Sequence, residues 1–293
     1  MVYEIDLDPY YADHDVVDLA RTFYEGIGLP VDSILAHSDL YERKGKNPHA
    51  FCIDIDRRGD VRILCNVKNN ERWMETMLHE LGHAVYDKYM DMDTPYILRE
   101  PAHAFTTEGI AMLFGRLSRD ANWMRSMLDI PDKDYQQIKE ITQKYAQLKQ
   151  LIFARWAMVM FQFEKSLYSD PEQDLNQLWW ALVEHYQLIS KPAYRDAPDW
   201  AAKIHIALYP CYYHNYLLGE CFASQLYAYI YDNVLKTDAA STSFAGKPKV
   251  GNYLKKNVFI PANIYTWDKM VRRATEKPLS AFYFVNQFVK DQN

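Results

Sequence analysis

The stretch His79-Glu80-Leu81-Gly82-His83 combines residue types and spacing suited to hydrolytic metal chemistry. Two histidines four apart lie one above the other on an α-helix, so both imidazoles reach a single metal ion. Glu80 projects about 100° round the same helix, where its carboxylate touches a metal-polarised water without being a ligand. A Lewis-acidic metal with a general base beside it is the apparatus of metal-assisted hydrolysis. The plain alternative is a pair of histidines satisfied in a core or at a surface. Met74, Met77, Leu78, Leu81 and Val85 form a stripe able to bury this helix, while Thr76, His79, His83 and Tyr86 form another face.

A catalytic zinc takes three protein ligands and leaves a position for water, so a third ligand is needed. Glu108 lies twenty-five residues after His83, within REPAHAFTTEGIAMLFGRL. The loop at 91–101 lets the chain reverse, so that the helix carrying Glu108 runs back beside the first, and Gly109, Ala111 and Gly115 permit close approach. The competing reading makes Glu108 a solvated helix-start glutamate favoured by the macrodipole. The histidine pair favours the ligand. His103 is a rival, but it follows Pro101 and Ala102 and precedes the helix, which makes it a neighbour of the site, a substrate contact or an exposed side chain.

Further downstream, His205, Tyr209, Tyr212, Tyr213, His214 and Tyr216 crowd twelve positions. Attack on a peptide carbonyl creates an oxyanion, and a donor set where that charge develops lowers the barrier. A phenol, protonated at neutral pH, is such a donor. The spacing of Tyr209, Tyr213 and Tyr216 is helical and predicts three hydroxyls along one face. Taken singly, each phenol reads equally well as packing, because the chain has 23 tyrosines.

The elements that must carry these residues are mostly helices. Periodicity predicts helices over 14–25, 71–90, 104–128, 133–168, 172–189, 198–208, 212–235, 266–275 and 280–290, with Pro171 as a helix-start signal. Strands are predicted at about 50–56 and 61–67, around the RRGD turn. Breaks are expected at 91–101, 191–199 and 237–252. None reads as a flexible linker, so the expected architecture is mainly α, one catalytic domain over 1–293 with one small antiparallel β-sheet.

Composition narrows the function classes. Among 293 residues, 33 are basic and 39 acidic, a net charge of -6 that lacks the basic excess of a nucleic-acid binder. The start, MVYEIDLDPYYADHD, is acidic where a signal peptide is basic and then apolar, and no apolar run is long enough to span a membrane. A cytoplasmic location is therefore expected. Cys52, Cys65, Cys211 and Cys221 have no metal-knuckle or redox spacing and read as reduced thiols. A Cys52–Cys65 bridge across the paired strands is a minor alternative in that setting. Arg99, Arg116 and Arg155 are candidate carboxylate binders, with salt-bridged or solvated arginine as the better reading of each.

The sequence resembles the helical zinc peptidases that include thimet oligopeptidase, oligoendopeptidase F and the angiotensin-converting enzymes. The resemblance rests on LHELGHAVYD, on Glu108 at the expected distance, on ERKGKNPHAFC before the strands, and on His205 with Tyr209, Tyr213 and Tyr216; it spans about residues 40–230. It implies that His79, His83 and Glu108 bind one Zn2+ and that Glu80 activates a zinc-bound water to cleave peptide bonds in oligopeptides. It further implies that Tyr216, helped by Tyr213, stabilises the oxyanion, that His205 and Tyr209 contact substrate backbone, and that the sheet edge binds an extended peptide by strand addition. Two departures stand out. Ile206, Ala207 and Leu208 replace the glycines that follow the histidine in relatives, and only about seventy residues precede the motif's helix where relatives carry a long helical half. The chain is then either the C-terminal, catalytic half of a longer peptidase or a short member with an open cleft. The alternative function is a non-catalytic, zinc-bound peptide-binding or scaffold module of the same fold. Zinc hydrolysis of a non-peptide amide is a third.

Overall fold

The computed structural model describes residues 5–289. Residues 1–4, part of the acidic start, and residue 290, the expected end of the last helix, lie outside the described residues. Among the described residues the fold is mainly α, twelve α-helices with one two-stranded antiparallel sheet. None of these helices is long and apolar enough to cross a membrane.

Helix α1 (Val16–Gly26) starts where the Asp15 carboxylate accepts the backbone N–H groups of Val17 and Asp18, and it buries Val16, Leu19, Ala20, Phe23 and Tyr24. A short α2 (Asp32–Ala36), too brief to show periodicity, leads to the sheet. Strands β1 (Phe51–Asp54) and β2 (Val61–Leu64) pair antiparallel, Phe51 opposite Leu64 and Asp54 opposite Val61. They are shorter than the expected 50–56 and 61–67. β2 shows the period of two, burying Val61 and Ile63 and exposing Arg62. Its outer edge is covered by Asp39 and Leu40, which exchange backbone hydrogen bonds with Ile63, Cys65 and Val67. β1 has no such neighbour among the described residues. The register sets Cys52 against Ile63, and all four cysteines are free thiols.

Helix α3 (Glu71–Lys88) carries the histidine motif and is capped by the Asn70 side chain, which accepts from the Trp73 N–H. Its Met74, Met77, Leu78, Leu81 and Val85 are completely buried. Tyr86 is completely buried as well and does not share an open face with the histidines. Helix α4 (Ala104–Gly115) runs antiparallel to α3: Thr107 lies beside His83, Ala111 beside Gly82, and Gly115 beside His79. The expected helix over 104–128 is broken after Gly115. Arg116–Arg119 tighten into a 3-10 turn, and α5 (Ala121–Met127) restarts because the Asp120 side chain caps it through the Trp123 N–H.

Long α6 (Asp132–Ser169) is followed by α7 (Leu175–Gln187). α7 begins at Leu175 and not at Pro171. The Asp174 carboxylate accepts the Gln177 N–H and so satisfies a first-turn donor, whereas Pro171 merely tolerates a helix start. The expected helix over 198–208 is a 3-10 turn (Asp199–Ala202) and a four-residue α8 (Ile204–Ala207). α9 (His214–Tyr229) passes into a π-helical turn, Ile230–Leu235. The predicted break at 237–252 contains the start of α10 (Pro248–Leu254), which continues as a π-helical turn to Phe259. Pro248, read as part of the break, opens the helix because its ring already holds a helical φ. α11 (Trp267–Thr275) and α12 (Phe282–Phe288) complete the described chain.

The main apolar core surrounds α3 and α4, with Phe23, Tyr24, Phe114 and Trp123 in edge-to-face contact. A second apolar group, Val159, Met160, Phe163, Trp179 and Val183, joins α6 to α7 and takes Ile206 and Tyr213 against it. The histidine motif is thus anchored in one core, and α8 with the start of α9 leans on another.

Candidate active site

Helix α4 lies between α3 and α9, with glycine on both faces. A Cβ at Gly82 would meet the Ala111 Cα at 2.7 Å, and one at Gly219 would meet the Glu108 Cβ at 3.0 Å. Only hydrogen at these two positions lets the three backbones approach so closely. The result sets Glu108, just 3% exposed, against both histidines.

His79 Nε2 and His83 Nε2 are 3.2 Å apart, and each is 3.7 Å from Glu108 Oε2. Thr107 Oγ1 is 2.7 Å from His83 Nδ1. Tyr212 donates its hydroxyl to Glu108 Oε1 at 2.6 Å, whereas Oε2 is buried without a hydrogen-bond partner. An orphaned buried carboxylate oxygen is costly unless a cation or donor meets it. Among the described residues, these three are the group whose ligand atoms, all within 4.8 Å of one another, are suited to a metal ion. Tetrahedral ligands at 2.0–2.2 Å from zinc are separated by about 3.3–3.6 Å, close to the spacing here. The residues present therefore fit a divalent metal.

Electrostatics agree with that fit. Burial lowers His79 to about 4, and burial together with His79 holds His83 well below the usual imidazole range. Both are then neutral imidazoles, the form a metal binds. Burial, with the Glu108 charge added, pushes the Glu80 carboxyl up to about 8. Burial raises Glu108 to about 7, opposed by the Tyr212 hydrogen bond and aided by Glu220. Two carboxylates facing one buried space repel each other, and a cation between them would favour the charged form of both.

Tyr216 lies in the first turn of α9, with its hydroxyl 3.1 Å from His205 Nε2. Tyr213 is edge-on to both rings, and Trp156 engages its hydroxyl. Tyr209, 57% exposed, touches only the His205 side of this cluster among the aromatic contacts, with ring centroids 6.5 Å apart. The three hydroxyls of Tyr209, Tyr213 and Tyr216 do not share a helical face, contrary to the spacing argument. Pro210 removes a backbone donor and Cys211 takes a left-handed φ of 56°, so the chain turns between α8 and α9.

His103 is the cap of α4: its side chain accepts the Phe105 N–H, and Thr106 completes the box. The candidate carboxylate-binding arginines have partners within the chain. Arg99 donates to the Thr94 carbonyl, Arg116 pairs with Glu220, and Arg155 donates to the His185 carbonyl. Sequence reasoning missed Thr107 and Tyr212. Each had a local signal, since Thr107 adjoins Glu108 and Tyr212 stands four residues before Tyr216, but neither signal points from Tyr212 to Glu108.

No curated protein matches the chain. A solved structure titled "The Structure of CHT" is similar to it with a TM-score of 0.73 at 18% identity, over 98% of this chain. The chain spans 62% of the length of that structure, and the likeness establishes a shared fold. A family model described as "Peptidase family M3" matches residues 35–289, a span that includes the sheet, the α3–α4–α9 layer and all the groups just described. On that match the chain belongs to peptidase family M3, a family of metallopeptidases.

Proposed function

We propose that this chain hydrolyses peptide bonds in oligopeptides as a zinc-dependent peptidase, with Glu80 as general base. The observation that carries the reading is the convergence of two neutral imidazoles on the buried, unpartnered Oε2 of Glu108. His79, His83 and Glu108 would hold the ion, which when bound supplies Lewis acidity toward a water and the scissile carbonyl.

The chain's own groups handle the protons. Thr107 beside His83 lets Nδ1 keep its proton, leaving the Nε2 lone pair toward Glu108. Glu80 takes a proton from the attacking water at its carboxylate and passes it to the leaving amine nitrogen. Burial raises its proton affinity while a cation beside it would favour the charged form, so Glu80 is ionised to take the proton and then holds it until the amine leaves. Burial, then the Glu108 charge, keeps the Tyr216 phenol protonated far above neutral pH, so it donates to the carbonyl oxygen as negative charge grows there. His205 orients that hydroxyl, and Tyr213 braces the ring. Tyr209 and His205 contact substrate backbone at the rim. An extended oligopeptide pairs with the open edge of β1, beside the exposed Phe51, Ile53 and Ile55.

Metal analysis of the purified chain and digestion of a peptide library with and without chelator test this reading. About one zinc per chain and chelator-sensitive cleavage are expected. Zinc and peptide binding without cleavage would support the non-catalytic module instead. Failure to take up any metal would remove the ligand assignment.

A further inference from the structure

Tyr212 stands two residues before α9, in the turn that interrupts the phenol series. Its hydroxyl holds Glu108 Oε1 at 2.6 Å. Its ring lies nearly parallel to His205, with 25° between the planes, and edge-on to Tyr216 at 5.3 Å. The other oxygen of the same carboxylate, Oε2, is the one without a partner and the one facing both histidines. A glutamate's terminal torsion is broad and roughly two-fold, so burial alone does not decide which way its oxygens point. A strong hydrogen bond to one oxygen does decide it.

Resting on the zinc reading above, we infer that Tyr212 is a positioning residue for the metal. Its hydroxyl clamps Glu108 so that Oε2 faces His79 and His83, and the clamp tightens the triad's hold on zinc. Groups that orient metal ligands typically contribute a factor of about 10–100 in metal affinity. The clamp also joins the two halves of the site. Glu108 stands on α4, whose Phe105 and Ile110 belong to the main core, Tyr213 leans on the α6–α7 group and touches His205, and Tyr212 touches Glu108, His205 and Tyr216.

The test is a chelator-competition titration of the metal-free full chain with zinc, comparing wild type, Tyr212→Phe and Tyr213→Phe. Tyr212→Phe keeps the ring contacts and loses the clamp, so its zinc affinity should fall about 10–100-fold, whereas Tyr213→Phe should bind as wild type does. With cobalt(II) in place of zinc, the visible absorption of Tyr212→Phe should also differ from wild type, because the Glu108 ligand is no longer fixed. If Tyr212→Phe fails to fold, as judged by circular dichroism, Tyr212→Leu is a second donor-free variant read in the same way. Unchanged zinc affinity and an unchanged cobalt spectrum in a folded donor-free variant would overturn the inference while leaving the peptidase reading intact. A wild-type chain that binds no zinc would overturn both.

Discussion

Gly82 on α3 faces the backbone of Ala111 on α4, where an added Cβ would lie 2.7 Å from the Ala111 Cα and 3.2 Å from its nitrogen. Gly82 lies between Glu80 and His83 in sequence, and Ala111 is three residues after Glu108. The contact that lets the helices approach is therefore also what sets the spacing of the ligand triad.

Gly82→Ala should destabilise the chain and weaken its metal binding together. Replacing a helical glycine by alanine gains about 1 kcal/mol in propensity. Here the new methyl meets backbone that cannot rotate aside, and overpacking of this kind costs about 1–3 kcal/mol, so the clash prevails. Gly115→Ala, whose Cβ would meet the His79 Cβ at 3.3 Å, should have a smaller effect. Urea unfolding and zinc titration of the two variants check the order. Equal stability and equal metal affinity in Gly82→Ala would refute it.

Glu80→Gln should retain zinc and peptide binding while losing several orders of magnitude in turnover. The amide fills the same buried space but does not accept the proton of the attacking water. Metal content measured alongside kcat tells a base from a ligand. Loss of zinc together with activity would show that Glu80 has the wrong role.

Tyr216→Phe preserves the ring and its contacts with Tyr212, Tyr213 and His205. Its kcat should fall about a hundredfold or more, with little change in KM or melting temperature. Tyr209→Phe, at the rim, should act mainly on KM. A quenched-fluorescence peptide assay separates the two. Unchanged kcat with a lowered melting temperature in Tyr216→Phe would move the oxyanion role to another donor.

Acid sensitivity should arise in part from Glu75, one turn before His79. Burial favours its neutral form, but Lys149 and Arg119, both hydrogen-bonded to it, outweigh burial and hold the carboxyl at about 2. A carboxylate depressed in the fold adds stability that is present above its unfolded value, about 4.5, and is lost as pH falls toward 2. Glu75→Gln should therefore be less stable than wild type at pH 7, by about 1–2 kcal/mol after screening. The gap should close between pH 4.5 and 2. Melting temperatures of both proteins across that range provide the check, and a gap independent of pH would exclude the ion pairs as its source.

Local interactions made much of this protein legible from its sequence. The four-residue spacing of His79 and His83, the buried stripe from Met74 to Val85 and the reversal that returns Glu108 depend on helix period and loop length. The family followed from the same residues and agrees with the match over residues 35–289. Helix boundaries were less legible at 115–121, 171–175 and 208–214. There, single caps and turns at Asp120, Asp174 and Cys211 compete with periodicity over one or two residues.

Only tertiary structure decided which phenol touches which carboxylate. In sequence, Tyr209, Tyr213 and Tyr216 fall on one helical face, and Tyr212, four residues before Tyr216, falls near it with nothing to mark it out. In the fold, Pro210 and Cys211 break that helix, Tyr209 goes to the rim, and Tyr212 swings onto Glu108. A residue's period predicts its neighbours only while the helix continues. The Tyr212–Glu108 contact, between residues 104 apart, exists because glycines bring α4 against both α3 and α9, and no local pattern encodes that approach.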